Sequence, residues 1–244
     1  HGTPGEDGKL QGYFEMLGIK HTSCNSITSA VTFNKYFCNR LVSTLGVSIS
    51  PSIHLFRGQE IRLEEILNAL KLPVFVKPSC GGSSVGMSKV TNPKDLRPAI
   101  ELAFEHDTEV LIEQFISGRE ITCGVYSEKG RPKSLPLMEI ISKKEFFDYE
   151  AKYNSDLAEE ILPAPIDEHL AEVCQSLSER LYLNLGCRGV VRFDYILSNN
   201  QFWFLEVNTV PGMTAASIVP KMAIKAGFQL SEFYDLLIEE ALRV

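Results

Sequence analysis

The sequence predicts an α+β protein with two sheet-bearing lobes facing each other, near residues 30–120 and 121–244. Three observations support this class. Strand-like and helix-like segments alternate without internal repeats. The candidate chemistry falls on antiparallel hairpins rather than on strand-to-helix turns. The 244 residues, 44% hydrophobic and 23% charged, suffice for one large core or two smaller ones.

Composition excludes several function classes. The net charge is −7 and there is no basic run, so wholesale binding to a nucleic-acid backbone is not expected. The six cysteines form no CxxC pair and no Cys/His spacing that suits zinc. Most sit in apolar contexts, which points to buried thiols and a reducing cytoplasm. No apolar run approaches the roughly 18 residues of a membrane span, and no signal peptide is visible. The chain starts at His1 and reads as the continuation of something that precedes it.

Taken in order, residues 1–12 (HGTPGEDGKLQG) form a Gly-rich loop with a turn at Glu6-Asp7-Gly8. A short helix over 10–17 ends at Gly18, and 19–22 reads as a strand. One helix is expected over 28–45, capped by Thr28 or Ser29 and stopped by Gly46. Lys35 lies inside it, and a single helical Lys is ordinarily solvated. Residues 47–56 form a strand interrupted by Pro51, and 60–70 an amphipathic helix.

A short strand over 73–76 delivers Lys77 to the segment PSCGGSSVG, and a second strand follows over 87–90. Glycines let successive backbone N–H groups point into one concavity, and hydroxyls add donors. In a P-loop the Lys follows the glycines and a helix begins there. Here the Lys comes first and a strand follows. Two readings stand: a hairpin flap over phosphates, or a mobile hairpin tip.

A helix runs from Asn92-Pro93 to His106, starting late or kinking at Pro98. Strands over 109–115 and 119–126 flank the connection 116–118. Glu113 and Glu120 bracket it, placed either to hold an adenosine or simply as surface acids. A turn at 128–130 leads to a strand over 134–141. Residues 142–165 are long, polar and aromatic, which fits a lid better than disorder. Helices over 167–183, 217–226 and 231–242 complete the chain.

Between the first two of those helices lies RFDYILSNNQFWFLEVNTVPGMT, with strands at 190–197 and 202–207. Side chains alternate along a strand, so Arg192 and Asp194 share one face, as do Glu206 and Asn208. Trp203, Leu205 and Val207 would supply the opposite, apolar face. Two registers are open. A two-residue loop at Asn199-Asn200 sets Asp194 opposite Leu205 and separates the carboxylates. A three-residue loop, 199–201, sets Asp194 opposite Glu206 and Arg192 opposite Asn208. The second is the expectation, since Asn tolerates the left-handed backbone such a loop needs. It gathers hard oxygen donors that suit Mg²⁺ bound together with substrate phosphates.

Jointly, Lys35 and Lys77 for phosphates, a Gly/Ser flap, a carboxylate–amide metal set and Arg192 for a developing oxyanion describe an ATP site. Without a P-loop or kinase motifs, that site suggests the ATP-grasp solution. The blocks HGTPGEDGKLQG, KPSCGGSSVGMSKV, FFDYEAKY, GVVRFDYI and FLEVNTVPGMTAAS closely resemble the motifs of D-alanine–D-alanine ligases, in the same order and over nearly the whole chain.

The resemblance implies an ATP-grasp fold, with 1–29 as the remnant of an N-terminal α/β domain, 30–120 as the central lobe, and 121–244 as the C-terminal lobe with its lid at 142–165. It implies that ATP phosphorylates one D-alanine, that a second attacks the acyl phosphate, and that the dipeptide serves peptidoglycan synthesis. The implied cofactors are ATP and Mg²⁺, with Mn²⁺ as a substitute. The implied partners are two D-alanine molecules and a second copy in a homodimer, with no nucleic acid and no membrane.

By motif position, Lys35, Lys77 and Lys152 contact phosphates. Glu113, Phe115, Ile116, Glu120 and Phe146 hold adenosine. Asp194, Glu206 and Asn208 bind the metal, and Arg192 with the Gly212 amide forms the oxyanion hole. Ser83 and Tyr153 pair flap with lid. Ser217 and Ile218 contact the second D-alanine, and His1 lies near the substrates. The chain departs from the family in lacking most of the N-terminal domain, including its Glu for the first D-alanine's ammonium, and in having Val210 where Ser is frequent. The rival expectations are a D-lactate or D-serine acceptor, or an inactive ATP-binding fragment.

Overall fold

The computed structural model describes residues 2–82, 85–142 and 158–243. The N-terminal loop leads into α1 (Lys9–Met16), which packs on α2 (Ser26–Phe33). Residues 19–22 form no strand, in contrast to the expectation. The cap of α2 is Asn25, whose side chain accepts from Thr28 N, so the helix starts earlier than Thr28. It also ends earlier. Asn34 takes an extended backbone (ψ 106°), accepts from Phe37 N and starts a second helix, α3 (Lys35–Thr44). The single helix expected over 28–45 is therefore two, and Lys35 is the first residue of the second rather than a mid-helix surface residue. A short Asn side chain competes with the helical backbone for hydrogen bonds, which favours caps over interiors.

The chain then forms β1 (Ser48–Ile49) and β2 (Ser52–Phe56) on either side of Pro51, α4 (Leu63–Ala69), β3 (Val74–Pro78) and β4 (Ser88–Val90). A 3₁₀ turn at Pro93–Asp95 precedes α5 (Leu96–His106). Pro98 falls in the first turn of α5, where its missing N–H is not needed. Strand β5 (Glu109–Gln114) closes a four-stranded sheet of order β2-β5-β3-β4. Its apolar face packs on α4 and α5 through Ile66, Val74, Val76, Leu96, Ile100 and Ile112.

A larger sheet follows: β6 (Arg119–Glu128), β7 (Arg131–Ser134), β8 (Met138–Ser142), β9 (Ala158–Ile161), β10 (Val190–Ser198) and β11 (Gln201–Asn208). Its order is β1-β11-β10-β6-β8-β9, with β7 also on β6. The strand expected over 134–141 is split by residues 135–137, and the expected long loop contains β9, paired with β8. Helix α6 (Glu168–Asn184), capped by Asp167, covers one face, and α7 (Ile218–Lys225) and α8 (Leu230–Arg243) the other.

The second face of this sheet divides along its length. At one end Tyr126 and Val190 pack under α7 and α8, joined by Met138 and Ile140 of β8. At the other end the same face carries Glu120, Thr122, Arg192 and Asp194, which line a cavity also bordered by β3 of the small sheet. The chain passes between the sheets at 115–118. A Cβ on Gly118 would stand 2.4 Å from Leu197 O, so this close crossing requires glycine.

Candidate active site

The cavity has a volume of about 1500 Å³. Lys35, Lys77, Glu113, Phe115, Ile116, Glu120, Arg192, Asp194, Glu206, Asn208, Gly212, Ser217 and Ile218 all line it. These residues are spread over most of the sequence, and only folding gathers them. His1, Ser83, Phe146, Lys152 and Tyr153 lie outside the described residues, as does most of the 142–165 segment.

The hairpin β10–β11 builds the polar wall. The loop between its strands has two residues, Asn199 and Asn200, both left-handed (φ 49° and 60°). The expected three-residue loop is therefore wrong, yet Asp194 does face Glu206 and Arg192 does face Asn208. A β-bulge reconciles these facts. Ser198 pairs with Gln201 and Tyr195 with Phe204, after which one residue of β11, Leu205, is skipped. The bulge also reverses the facing of β11. Phe202 and Phe204 point into the core before it, and Val207 after it. Trp203, Glu206 and Asn208 face the cavity. The apolar face expected from Trp203, Leu205 and Val207 thus does not exist. With strict alternation Glu206 would share the buried face of Phe202 and Phe204.

Within this wall Asp194 is 4% exposed. Arg192 grips it with Nε at 2.9 Å from Oδ1 and Nη2 at 2.7 Å from Oδ2. Thr122, on the adjacent strand, donates to Oδ1 at 2.6 Å. Burial works against the charge on Arg192, but Asp194, Glu206 and Glu120 outweigh it and hold its pKa above the ordinary value. Asn208 Oδ1 accepts from Val210 N, fixing the turn that follows.

Lys35 projects from the start of α3. Its backbone N–H donates to Ser79 O, and its Nζ lies 2.6 Å from Gly81 O and 3.5 Å from Glu206 Oε2. It therefore ties the Gly-rich segment to the metal-type wall, which overturns the solvated reading. Lys77 is buried on β3 and ion-paired with Glu113, whose other oxygen accepts from Asn39 Nδ2 at 2.8 Å. Glu113 is thus the partner of a buried cation rather than a surface acid. Phe75 and Phe115 meet edge to face at 5.7 Å beside this pair, with Lys89 over the Phe115 ring.

At the far end Ser217 stands at the N-cap position of α7 with its Oγ 2.9 Å from Thr214 Oγ1 rather than on the helix backbone, and a Cβ on Gly212 would approach that Oγ to 2.9 Å. Sequence reasoning passed over several cavity residues: Glu6, Asn39, Thr122, Trp203, and the ion pair of Lys221 with Glu160 at 2.6 Å. Asn39 had a signal, since it stands four residues after Lys35 on the same helical face. Thr122 had none, because its partner Asp194 is distant in sequence.

The donor set fits a hard divalent cation. Two carboxylates and an amide oxygen share one wall of the cavity, the hard donors that such an ion takes together with phosphate and water. Among the described residues no group of three or more His, Cys, Asp or Glu side chains could hold a metal ion by itself. A cation here would be shared with a phosphate ligand.

A family model described as the D-ala D-ala ligase C-terminus matches residues 41–239. The D-alanine–D-alanine ligase of Parabacteroides distasonis is 46% identical over 244 residues, which is 100% of this chain and 74% of that protein. The chain belongs to the D-alanine–D-alanine ligase family. The family's solved structures share the fold. The Bacillus anthracis D-alanine–D-alanine ligase complexed with ATP superposes with a TM-score of 0.86 at 33% identity, covering 100% of this chain and 77% of that one. The VanG D-Ala:D-Ser ligase of Enterococcus faecalis gives 0.89 at 38% identity, covering 99% and 71%. The mixed α+β architecture described above is therefore the ATP-grasp fold of these ligases.

Proposed function

We propose that the chain is an ATP-dependent ligase that joins two D-alanines through an acyl phosphate of the first, supplying a peptidoglycan precursor. The observation that carries this is the convergence, in one cavity, of two lysines, an arginine, two carboxylates and an amide from elements far apart in sequence.

The roles follow from the chemistry of each position. Lys35 and Lys77 hold nucleotide phosphates, and Glu113 keeps Lys77 charged and in place. Phe115, Ile116 and Glu120 hold the adenosine where the chain crosses between the sheets. Asp194, Glu206 and Asn208 would hold Mg²⁺, whose chemistry there would be to neutralise phosphate charge. Arg192 and the Gly212 amide are aimed where the oxyanion develops. Ser217 and Ile218 receive the second D-alanine at the start of α7, where helix N–H groups favour a carboxylate. His1, Ser83, Phe146, Lys152 and Tyr153 keep the roles that the family motifs imply. Residues 30–120 and 121–244 act as the two lobes, and 1–29 lead into them. A homodimer working in the cytoplasm completes the reading, and six free thiols fit a reducing compartment.

The test is ADP release by the purified protein with ATP, Mg²⁺ and D-alanine, D-serine or D-lactate. The expected result is release that depends on D-alanine, a D-alanyl-D-alanine product, and at least a hundredfold loss (about 10² or more) in Glu206→Ala. A predominant depsipeptide or D-alanyl-D-serine product would overturn the choice of acceptor. Undiminished turnover in the variant would overturn the metal assignment.

A further inference from the structure

We infer that Thr122 restricts Asp194 to binding a cation through one oxygen, and thereby makes the site select a small octahedral ion over a larger one. The inference rests on the reading of Asp194 as a metal ligand. Thr122 sits directly across from Asp194 in the pairing of β10 with β6. Its side chain is 1% exposed, and its Oγ1 donates to Asp194 Oδ1 at 2.6 Å.

Counting acceptor directions gives the consequence. Each oxygen of an ionised carboxylate offers about two. On Oδ1 both are taken, by Thr122 Oγ1 and by Arg192 Nε at 2.9 Å. On Oδ2 the short bond from Arg192 Nη2, at 2.7 Å, takes one. The second Nε contact to Oδ2, at 3.2 Å, is the long arm of a shared donor. One good direction on Oδ2 is left for a ligand.

An Asp in this state can bind a metal ion through one oxygen and cannot chelate it through two. Mg²⁺ requires near-ideal octahedral geometry and takes single carboxylate oxygens. Ca²⁺ accepts six to eight ligands and readily takes both oxygens of one carboxylate. Thr122 is well suited to enforce the difference. It is β-branched, so its rotamer choice is narrow. It lies between two paired neighbours, β10 and β8, in the middle of the large sheet, so its backbone has no freedom to retreat. Thr122 is on this argument a positioning residue, acting through Asp194.

The experiment replaces the hydroxyl while keeping the shape, with Thr122→Val, and keeps the hydroxyl in Thr122→Ser. Thr122→Ala repeats the first change with less bulk, should the Val variant fail to fold. Mn²⁺ binding is followed by the electron-paramagnetic signal of the free ion in the presence of a non-hydrolysable ATP analogue. Mg²⁺ and Ca²⁺ are then used as competitors, and Trp203 fluorescence confirms that each variant is folded. The native protein and Thr122→Ser should be displaced by Mg²⁺ at much lower concentration than by Ca²⁺. In Thr122→Val and Thr122→Ala that preference should narrow by about tenfold, as expected for loss of one hydrogen bond to a charged group. An Asp194→Asn control separates the two levels of the argument. Undiminished Mn²⁺ binding in Asp194→Asn overturns the metal reading itself. Diminished binding there, with an unchanged Mg²⁺/Ca²⁺ preference in a folded Val or Ala variant, overturns the role of Thr122 alone.

Discussion

Arg192 keeps its charge in a place where burial opposes it, because three carboxylates surround it. The same balance operates at Glu240, away from the cavity. Burial raises its pKa, but the backbone N–H groups of Gly130 and Lys129, the Ser127 hydroxyl and Arg243 lower it more, leaving it below the ordinary 4.5. These contacts pin the β6–β7 turn to α8. A carboxylate whose folded pKa is depressed adds stability that is present above its unfolded pKa and fades as pH falls through the folded value. Glu240→Gln should therefore lose about 1 kcal/mol at pH 7, with the gap to the native protein closing as pH falls below 4.5. Urea unfolding at several pH values measures it, and a pH-independent gap would contradict it. Lys77, Arg192, Asp194 and Glu206 could be singled out in the sequence, because charged residues in strand patterns need a reason, and all four line the cavity. Their partners could not. Asn39 and Thr122 are ordinary helix and strand residues until the fold sets them against Glu113 and Asp194.

At the scale of elements, the β10–β11 hairpin shows how a register can follow from something other than its loop. The left-handed pair Asn199-Asn200 makes the tight turn that favours strand twist, and by itself would misplace the carboxylates. The bulge at Leu205 corrects the register, and β10 is also held by eight pairings with β6 on its other side. One glycine inserted between Asn199 and Asn200 should therefore be tolerated, with melting temperature and nucleotide binding near native. Leu205 is the residue that the pairing skips, so deleting it should remove the bulge and still leave Glu206 opposite Asp194 on the cavity side, with nucleotide binding retained. A loop insertion that abolishes nucleotide binding, or a folded Leu205 deletion that no longer binds nucleotide, would refute this account. Alternation alone could not reveal the bulge. The polar and apolar residues of 201–208 fit either phase, and only the burial of Phe202, Phe204 and Val207 together breaks the tie.

For the molecule as a whole, the two sheets divide the burial between them and leave five of the six cysteines inside, with Cys80 half-buried. Burial raises Cys38 and Cys123 to about 12, and Cys80 to about 11 with help from Asp107 and Glu109. These thiols stay protonated at pH 8, and only the thiolate reacts. A colorimetric thiol reagent at pH 8 should label them slowly in the folded protein, and all six cysteines rapidly once guanidinium unfolds it. Fast labelling of Cys38 or Cys123 in the native state would show that the core opens more readily than its packing implies.

The sequence by itself determined the α+β class, most strands and helices, the family, and the residue types that chemistry at the cavity demands. These depend on local pattern and on side-chain identity, which a chain displays without being folded. Tertiary structure decided the break at Asn34 that turns Lys35 inward, the phase of β11 around Leu205, and the buried partners of Lys77 and Asp194. Each of these depends on which strand or helix lies alongside, a neighbour relation fixed by packing over long separations rather than by any stretch of residues read alone.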